Sequence, residues 1–320
     1  MDWDKLRLNV ENNNCVAVIG AGASRPYIPP AKELAAELLR REKTNPFTDA
    51  TGKPISDAEK RTVEDLAAVA QFLAVKHTQG DYPKLVIAKI VREKAENPKF
   101  GEFDAHRALA GLNLPIYITT NYDNRMKLAL QLQNKKVETA ICRWNDQLQD
   151  IRTCFDDEPV GPGRSYKEPY EPTPDHPVVF HLHGQMEIPK SIVASEDDYL
   201  DFLVEMGRQK RQAFESDSSQ PGAKRPMLPP AIQNALASKL LLFVGYGIAD
   251  MNFRVILRGL KTSLRSTAVT SITVQYGGTE REEMKEYLKQ YFQWVLDLDV
   301  FWGSSEEFAE QLIKESKTWK

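Results

Sequence analysis

The sequence has few cysteines, no long apolar run and no strong excess of either charge. Its three cysteines, Cys15, Cys142 and Cys154, lie far apart among 320 residues. This number fits a reducing compartment and excludes both a disulfide scaffold and a four-cysteine zinc module. No apolar stretch approaches the roughly 20 residues of a membrane-spanning helix, and the first residues lack the pattern of a signal peptide. We therefore expect a cytoplasmic protein that makes no use of a membrane.

The charge balance argues against a broad nucleic-acid-binding surface. Lys and Arg total 42 against 45 Asp and Glu, which gives a formal net charge of −3. Domains that bind nucleic acid are usually basic, so we expect no direct contact with DNA or RNA. Hydrophobic residues make up 42% of the chain, which is ordinary for a globular protein.

The apolar runs predict an α/β fold with a doubly wound, mostly parallel, Rossmann-like sheet. Leu34, Leu38 and Leu39 have helical spacing after two prolines, and further helical patterns lie between about residues 55 and 96. We predict a single domain over residues 1–320, with a helical insertion at 45–100. The predicted strands are 15–19, 116–119, 178–182, 240–244, 271–274 and 294–298.

The first predicted strand ends in a glycine-rich turn, Gly20-Ala21-Gly22-Ala23-Ser24. Glycines let backbone N–H groups approach a phosphate, so this position between a strand and a helix favours nucleotide binding over an ordinary tight turn. Arg25 replaces the third glycine of the dehydrogenase fingerprint, and no Gly-Lys-Ser/Thr follows as in a Walker A loop.

Polar or glycine-containing segments follow three later strands. Thr119-Thr120-Asn121-Tyr122-Asp123 offers hydrogen-bonding side chains, although Thr120 or Asn121 could instead cap the next helix. Gly245-Tyr246-Gly247-Ile248-Ala249-Asp250 offers a second backbone cradle, or a turn with Asp250 as a helix cap.

His181-Leu182-His183-Gly184 places two histidines near the end of a strand. A histidine at a strand tip is a natural general base near neutral pH, and it can equally be a satisfied structural residue. A third interpretation is a metal site of His181 and His183 with His176 or an aspartate.

These four segments, in this order, together resemble the sirtuin-like superfamily. The resemblance implies that Gly20 to Ser24 hold the pyrophosphate of NAD and that Gly245 and Gly247 contact its adenosine half. It implies further NAD contacts from Thr119, Tyr246 and Asp250. Asn121 and Asp123 would lie around the nicotinamide ribose, and His183 would be the catalytic base.

The sequence also departs from sirtuin deacylases. Three scattered cysteines cannot supply their zinc ribbon, and Tyr122 stands where they usually carry Ile. The chain looks more like the bacterial sirtuin-like proteins of antiphage defence that cleave NAD to nicotinamide and ADP-ribose. The predicted function is therefore an NAD glycohydrolase that uses NAD as substrate and needs no metal. The alternatives are an NAD-dependent deacylase or ADP-ribosyltransferase, a non-catalytic sensor of NAD or ADP-ribose, and a metal-dependent hydrolase.

The resemblance also implies regulation, because an uncontrolled NAD hydrolase would kill its host. We expect a homo-oligomer, or a separate partner. Related standalone proteins pair with a HerA-type hexameric DNA translocase, which we favour, or with a short Argonaute. The loops 159–177 and 216–230 and the helical insertion are candidate contact sites.

Overall fold

The computed structural model describes residues 1–25, 27–43, 64–95, 99–156, 170–215, 224–246, 270–276 and 282–319. Within these residues seven strands form one sheet in the order β3-β4-β2-β1-β5-β6-β7, and all of the ladders are parallel. This confirms the predicted α/β class with a Rossmann-like sheet. The strands are β1 (Cys15–Ile19), β2 (Ile116–Thr119), β3 (Glu138–Ile141), β4 (Val178–His181), β5 (Leu240–Val244), β6 (Ser271–Gln275) and β7 (Leu298–Trp302).

Helices connect and cover these strands. None of the described helices combines the length and the apolarity that crossing a bilayer needs. They are α1 (Trp3–Glu11), α2 (Ala31–Glu42), α3 (Leu66–Lys76), α4 (Tyr82–Ala95), α5 (Ala105–Ala110), α6 (Arg125–Gln131), α7 (Glu196–Glu215), α8 (Pro230–Ser238), α9 (Glu282–Leu296) and α10 (Ser305–Ser316). Helices α3 and α4 confirm the helical pattern from residue 64 onward, while the division into a domain and an insertion stays a prediction.

The central strands are buried on both faces because their runs are continuously apolar. Val16 and Val18 of β1 join the core on one face, and Ala17 and Ile19 join the core on the other. A third apolar cluster holds helices α2, α3 and α4 together and extends to Ile192, in the segment that follows β4. The helical layer therefore packs against a loop that leaves the carboxyl end of the sheet.

The direction of the strand order changes at β1. Strands β2, β3 and β4 lie on one side of β1, and β5 then pairs with β1 on its other side. In open parallel sheets such a switch leaves a crevice outside the carboxyl ends of the strands, where ligands bind. The turns that follow β1, β2, β4 and β5 are therefore brought to one rim.

The predicted strand at 294–298 is wrong. Helix α9 continues to Leu296, Asp297 adopts a left-handed conformation with φ of 52°, and β7 begins only at Leu298. A short apolar run cannot be assigned to helix or strand by periodicity alone, and Trp294 lies on the outside of the helix with 91% of its surface exposed. The edge strand β3 was missed because Glu138 and Thr139 interrupt its apolar pattern.

Candidate active site

The two glycine turns pack directly against each other beyond β1 and β5. Gly22 N–H donates to the carbonyl of Gly245 at 2.8 Å. A Cβ on Gly20 would lie 2.7 Å from that same oxygen, and one on Gly22 would lie 2.9 Å from it. Gly245 has φ of +84°, and a Cβ there would lie 2.3 Å from the amide nitrogen of Ala23. The glycines are thus required by the contact between the turns, before any phosphate is considered.

In the Gly20–Ser24 turn, backbone N–H groups that could bind a phosphate already donate hydrogen bonds within the protein. Gly20 N–H donates to Val244 O at 2.9 Å, and Ala23 N–H donates to Gly20 O at 3.0 Å. With Gly22, three of its N–H groups therefore donate within the protein. A short 3₁₀ turn spans Ala21–Ser24, and the next α-helix begins only at Ala31, so no helix N-terminus follows the glycines at once.

Asn121 lies in a buried hydrogen-bond network that decides which way its amide faces. Its Nδ2 donates to Gly20 O at 3.1 Å and to Ser24 Oγ at 2.9 Å. The Ser24 hydroxyl donates its own hydrogen to Asp123 Oδ2 at 3.0 Å, so its oxygen can only accept from Asn121. Both amide hydrogens of Asn121 are thus committed, which leaves Oδ1 as the acceptor of this side chain.

Asp123 orients this network rather than facing a cleft. Its side chain is buried, with 3% of the residue exposed. Oδ2 accepts from Ser24, and Oδ1 accepts from the main-chain N–H of Arg125 at 2.9 Å. Asp123, rather than Thr120 or Asn121 as in the alternative interpretation, bonds the start of α6, because its carboxylate accepts from the first helical N–H.

A buried ion pair that sequence reasoning missed lies behind Asp123. Arg125 Nη2 donates to Asp104 Oδ2 at 2.8 Å, and its guanidinium stacks on Tyr27 and Phe100 at 3.8 and 4.5 Å from the ring centres. Burial opposes ionisation of Asp104, but His106 and Arg125 outweigh it and hold the pKa of that carboxyl below its usual value. The only signal in the sequence was the position of Arg125, two residues after Asp123.

Thr119 and Tyr246 join the strand ends to one another. Thr119 Oγ1 donates to Ile19 O at 3.2 Å and accepts from Asn121 N–H at 3.0 Å. The Tyr246 hydroxyl donates to Ile19 O at 3.1 Å and lies 3.1 Å from Thr120 Oγ1. Hydrogen bonds therefore join the tips of β1, β2 and β5. Gly247 and Asp250 lie outside the described residues.

His183 lies beyond the end of β4, in an aromatic environment. Its ring makes edge contacts with Tyr199 and Phe202 of α7 at 5.6 and 5.3 Å between ring centres. Only 5% of the residue is exposed, and its buried Nε2 has no hydrogen-bond partner among the described residues. Burial lowers the pKa of His183 to about 4, so the ring is neutral at pH 7.

The Asn121 turn and the His183 loop are connected through Tyr122. The Tyr122 hydroxyl donates to Val193 O at 2.7 Å, and Val193 N–H donates to His183 O at 3.0 Å. A Cβ on Gly184, which has φ of +82°, would lie 2.1 Å from Ser191 O, so this loop closes tightly behind His183. The structure thus brings the Asn121 and His183 segments together, without a direct bond between the two side chains.

His181 is the last residue of β4, and its ring lies against the Asn121 turn. Its Nδ1 lies 3.2 Å from the main-chain oxygen of Asn121, and its buried Nε2 has no partner among the described residues. Burial lowers the pKa of His181 to about 4, more than its bond to Asn121 raises it. Among the residues that the structure describes, no three His, Cys, Asp or Glu side chains are grouped as a metal site.

Known proteins resemble this chain in sequence. A sequence profile described as a SIR2-like domain matches residues 115–294, which include Asn121, His183 and Gly245. A protein from Bacillus cereus (strain MSX-D12) named NAD(+) hydrolase ThsA is 25% identical over 199 residues, or 62% of this chain and 32% of its own length. Proteins of the same name from Acinetobacter baumannii (strain 532279) and Cytobacillus dafuensis are 23% identical over 259 residues and 25% over 205 residues. These matches cover 81% and 64% of this chain, but 41% and 32% of the two relatives. The chain therefore spans well under half the length of the curated relatives it matches.

Proposed function

This chain belongs to the SIR2-like domain family, and from that premise we propose that it is an NAD⁺ glycohydrolase. The reaction breaks the bond between nicotinamide and ribose C1′ and adds water to that carbon. The products are nicotinamide, ADP-ribose and a proton. The names of the three curated relatives support this assignment.

The observation that carries the proposal is the fixed amide of Asn121. Its two hydrogens are bonded to Gly20 O and Ser24 Oγ, so Oδ1 can accept a hydrogen bond from the attacking water or from a ribose hydroxyl. A water held in line with C1′ is pre-oriented for attack, and positioning of this kind contributes roughly 7–11 kcal/mol at best.

The chemistry needs few other groups. Nicotinamide leaves a pyridinium as a neutral molecule, so no general acid is required, unlike in glycosidases with alkoxide leaving groups. The transition state resembles an oxocarbenium ion, which a weakly activated water can attack. In the proposal His183 accepts the proton of that water, for which its neutral ring is in the correct form at pH 7.

The glycine turns provide the surroundings for the rest of the substrate. We assign the pyrophosphate to the Gly20–Ser24 turn and the adenosine half to Gly245 and Tyr246. These two turns follow β1 and β5 and contact each other where the strand order switches. Asp123 and Thr119 act through Asn121, because their described bonds go to the protein network around it.

Chromatography of NAD⁺ incubated with the purified protein tests the proposal. We expect nicotinamide and ADP-ribose in equal amounts, and loss of both with Asn121→Ala or His183→Ala. His176→Ala is the matched control, since His176 is partly exposed and pairs with Glu138 at the other end of β4. NAD⁺ that is bound but unchanged would favour the sensor, and deacylation of an acyl-lysine peptide would favour the deacylase.

We further propose that the protein depletes NAD⁺ in bacterial antiphage defence, as an assembly with itself or with a separate partner such as a HerA-type translocase. The expected result is a fall in cellular NAD⁺ after infection in cells carrying the protein and its genomic neighbour. Cells carrying Asn121→Ala should keep their NAD⁺ and lose protection.

A further inference from the structure

His181 is the second histidine at the end of β4, and no step of the proposed reaction uses it. It is 1% exposed and pairs in register with Thr119 of the neighbouring strand. Its Nδ1 faces the main-chain oxygen of Asn121 at 3.2 Å. A carbonyl oxygen only accepts, so the hydrogen of the neutral ring must be on Nδ1 and the lone pair on Nε2.

The main chain of Asn121 is thus held on both sides by side chains from strand ends. Its N–H donates to Thr119 Oγ1, and its carbonyl accepts from His181. The side chain of Asn121 is held separately, by Gly20 and Ser24 of the turn after β1. The position of the Asn121 amide therefore rests on bonds of its side chain to the turn after β1 and on bonds of its main chain to the ends of β2 and β4.

We propose that His181 is a positioning residue for NAD⁺ cleavage, which holds the Asn121 carbonyl so that Asn121 Oδ1 meets the reacting ribose. This inference rests on the proposed function. It assigns His181 no contact with the substrate and no proton transfer. His181 and His183 then have different tasks although they are only two residues apart.

The burial of His181 favours this role over a purely space-filling one. An apolar side chain could fill the site, yet the histidine leaves a buried Nε2 without a partner among the described residues, which has a cost. The compensating bond is the one to the Asn121 carbonyl, which would otherwise lose its donor. The lowered pKa of His181 keeps the ring neutral at pH 7.

Two substitutions distinguish the effect of losing the hydrogen-bond donor from the effect of losing the imidazole ring. His181→Leu removes the donor, whereas His181→Asn can place an amide N–H close to the position of Nδ1–H. We expect His181→Leu to lower kcat by up to about 100-fold, the cost of misplacing a reacting group by about 1 Å. KM for NAD⁺ should stay near the wild-type value, and His181→Asn should restore most of kcat. His176→Leu is the matched control for the substitution itself, and it should change neither constant.

Deuterium uptake by the peptide 119–126 provides a readout that does not depend on turnover. We expect faster exchange in His181→Leu than in the wild type, and wild-type exchange in His181→Asn and His176→Leu. Unchanged kcat and exchange in a folded His181→Leu protein would overturn the inference, as would equal losses in the Asn and Leu variants. If the wild type cleaves no NAD⁺, the proposed function fails, and the exchange data still decide whether His181 holds the Asn121 turn.

Discussion

We expect two buried neutral histidines to make the stability of this protein sensitive to mild acid. Burial lowers the pKa of both His181 and His183 from 6.5 to about 4. The unfolded chain therefore binds protons between pH 6.5 and 4 that the folded chain does not bind, so the free energy of unfolding falls as the pH falls through this window. More than about one pH unit above 6.5 both rings are almost entirely neutral in both states, and the effect vanishes.

The magnitude follows from the difference between the two pKa values. A difference of about 2.5 between the pKa values lowers the free energy of unfolding by about 3 kcal/mol for each ring once the pH is below 4. At pH 5 the free energy of unfolding is lower by about 2 kcal/mol for each ring, and by about 4 kcal/mol for the pair. That is a large fraction of the 5–15 kcal/mol that stabilises a typical domain. Acidic groups with lowered pKa, such as Asp104, lose their contribution only below about pH 4.

Urea unfolding followed by circular dichroism at several pH values between 7 and 5 measures this effect. The wild type should lose up to about 3 kcal/mol per pH unit from the two rings near pH 5. His181→Asn and His183→Asn should each remove about half of that slope, because each abolishes one proton-binding group. His176→Asn is the control. Wild-type slopes in both His181→Asn and His183→Asn would refute the reasoning, since the rings would then titrate equally in the two states.

Three further predictions concern the turn contacts and the buried network. Gly245→Ala should prevent folding or lower Tm sharply, because its Cβ would lie 2.3 Å from a backbone nitrogen. Gly207→Ala is the control: it lies in an exposed helical position with open space, so it should raise stability by up to about 1 kcal/mol in thermal denaturation. Ser24→Ala should lower kcat for NAD⁺ more than it lowers Tm, because the amide of Asn121 loses one of the two acceptors that orient it; equal retention of kcat and Tm would contradict this. Arg125→Met should cost about 3–5 kcal/mol in urea unfolding, since it removes the guanidinium that pairs with the buried Asp104. Arg92→Met is the comparison, because it removes a bond to a carbonyl instead of a carboxylate.

The local sequence pattern was sufficient to predict the central strands of the sheet. Strands β1, β2 and β5 were predicted with the bounds that the structure has, because a strand buried on both faces must be a continuous apolar run. The polar and glycine segments were recognisable because each interrupts the chain just after such a run. The family assignment also follows from those segments, and the matching sequence profile confirms it.

Prediction from the local sequence pattern was wrong where the same stretch of residues could form either a helix or a strand. The run at Trp294 was assigned to a strand, but packing of Leu288 and Phe292 into the core continues the helix past it. The edge strand β3 was missed because an edge needs little apolar sequence. In both cases contacts from distant parts of the chain decide the conformation.

The sequence by itself determined which residue types stand at the strand ends, and therefore the family and the candidate chemistry. Only the tertiary structure decided what those residues contact: Gly22 meets Gly245, Ser24 sets the amide of Asn121, and His183 is enclosed by aromatic rings. The reason is physical. Backbone propensity and apolar periodicity act over neighbouring residues, whereas the bonds from Asn121 to Ser24 and from Tyr246 to Ile19 join residues 97 and 227 positions apart, which meet only when the sheet is assembled.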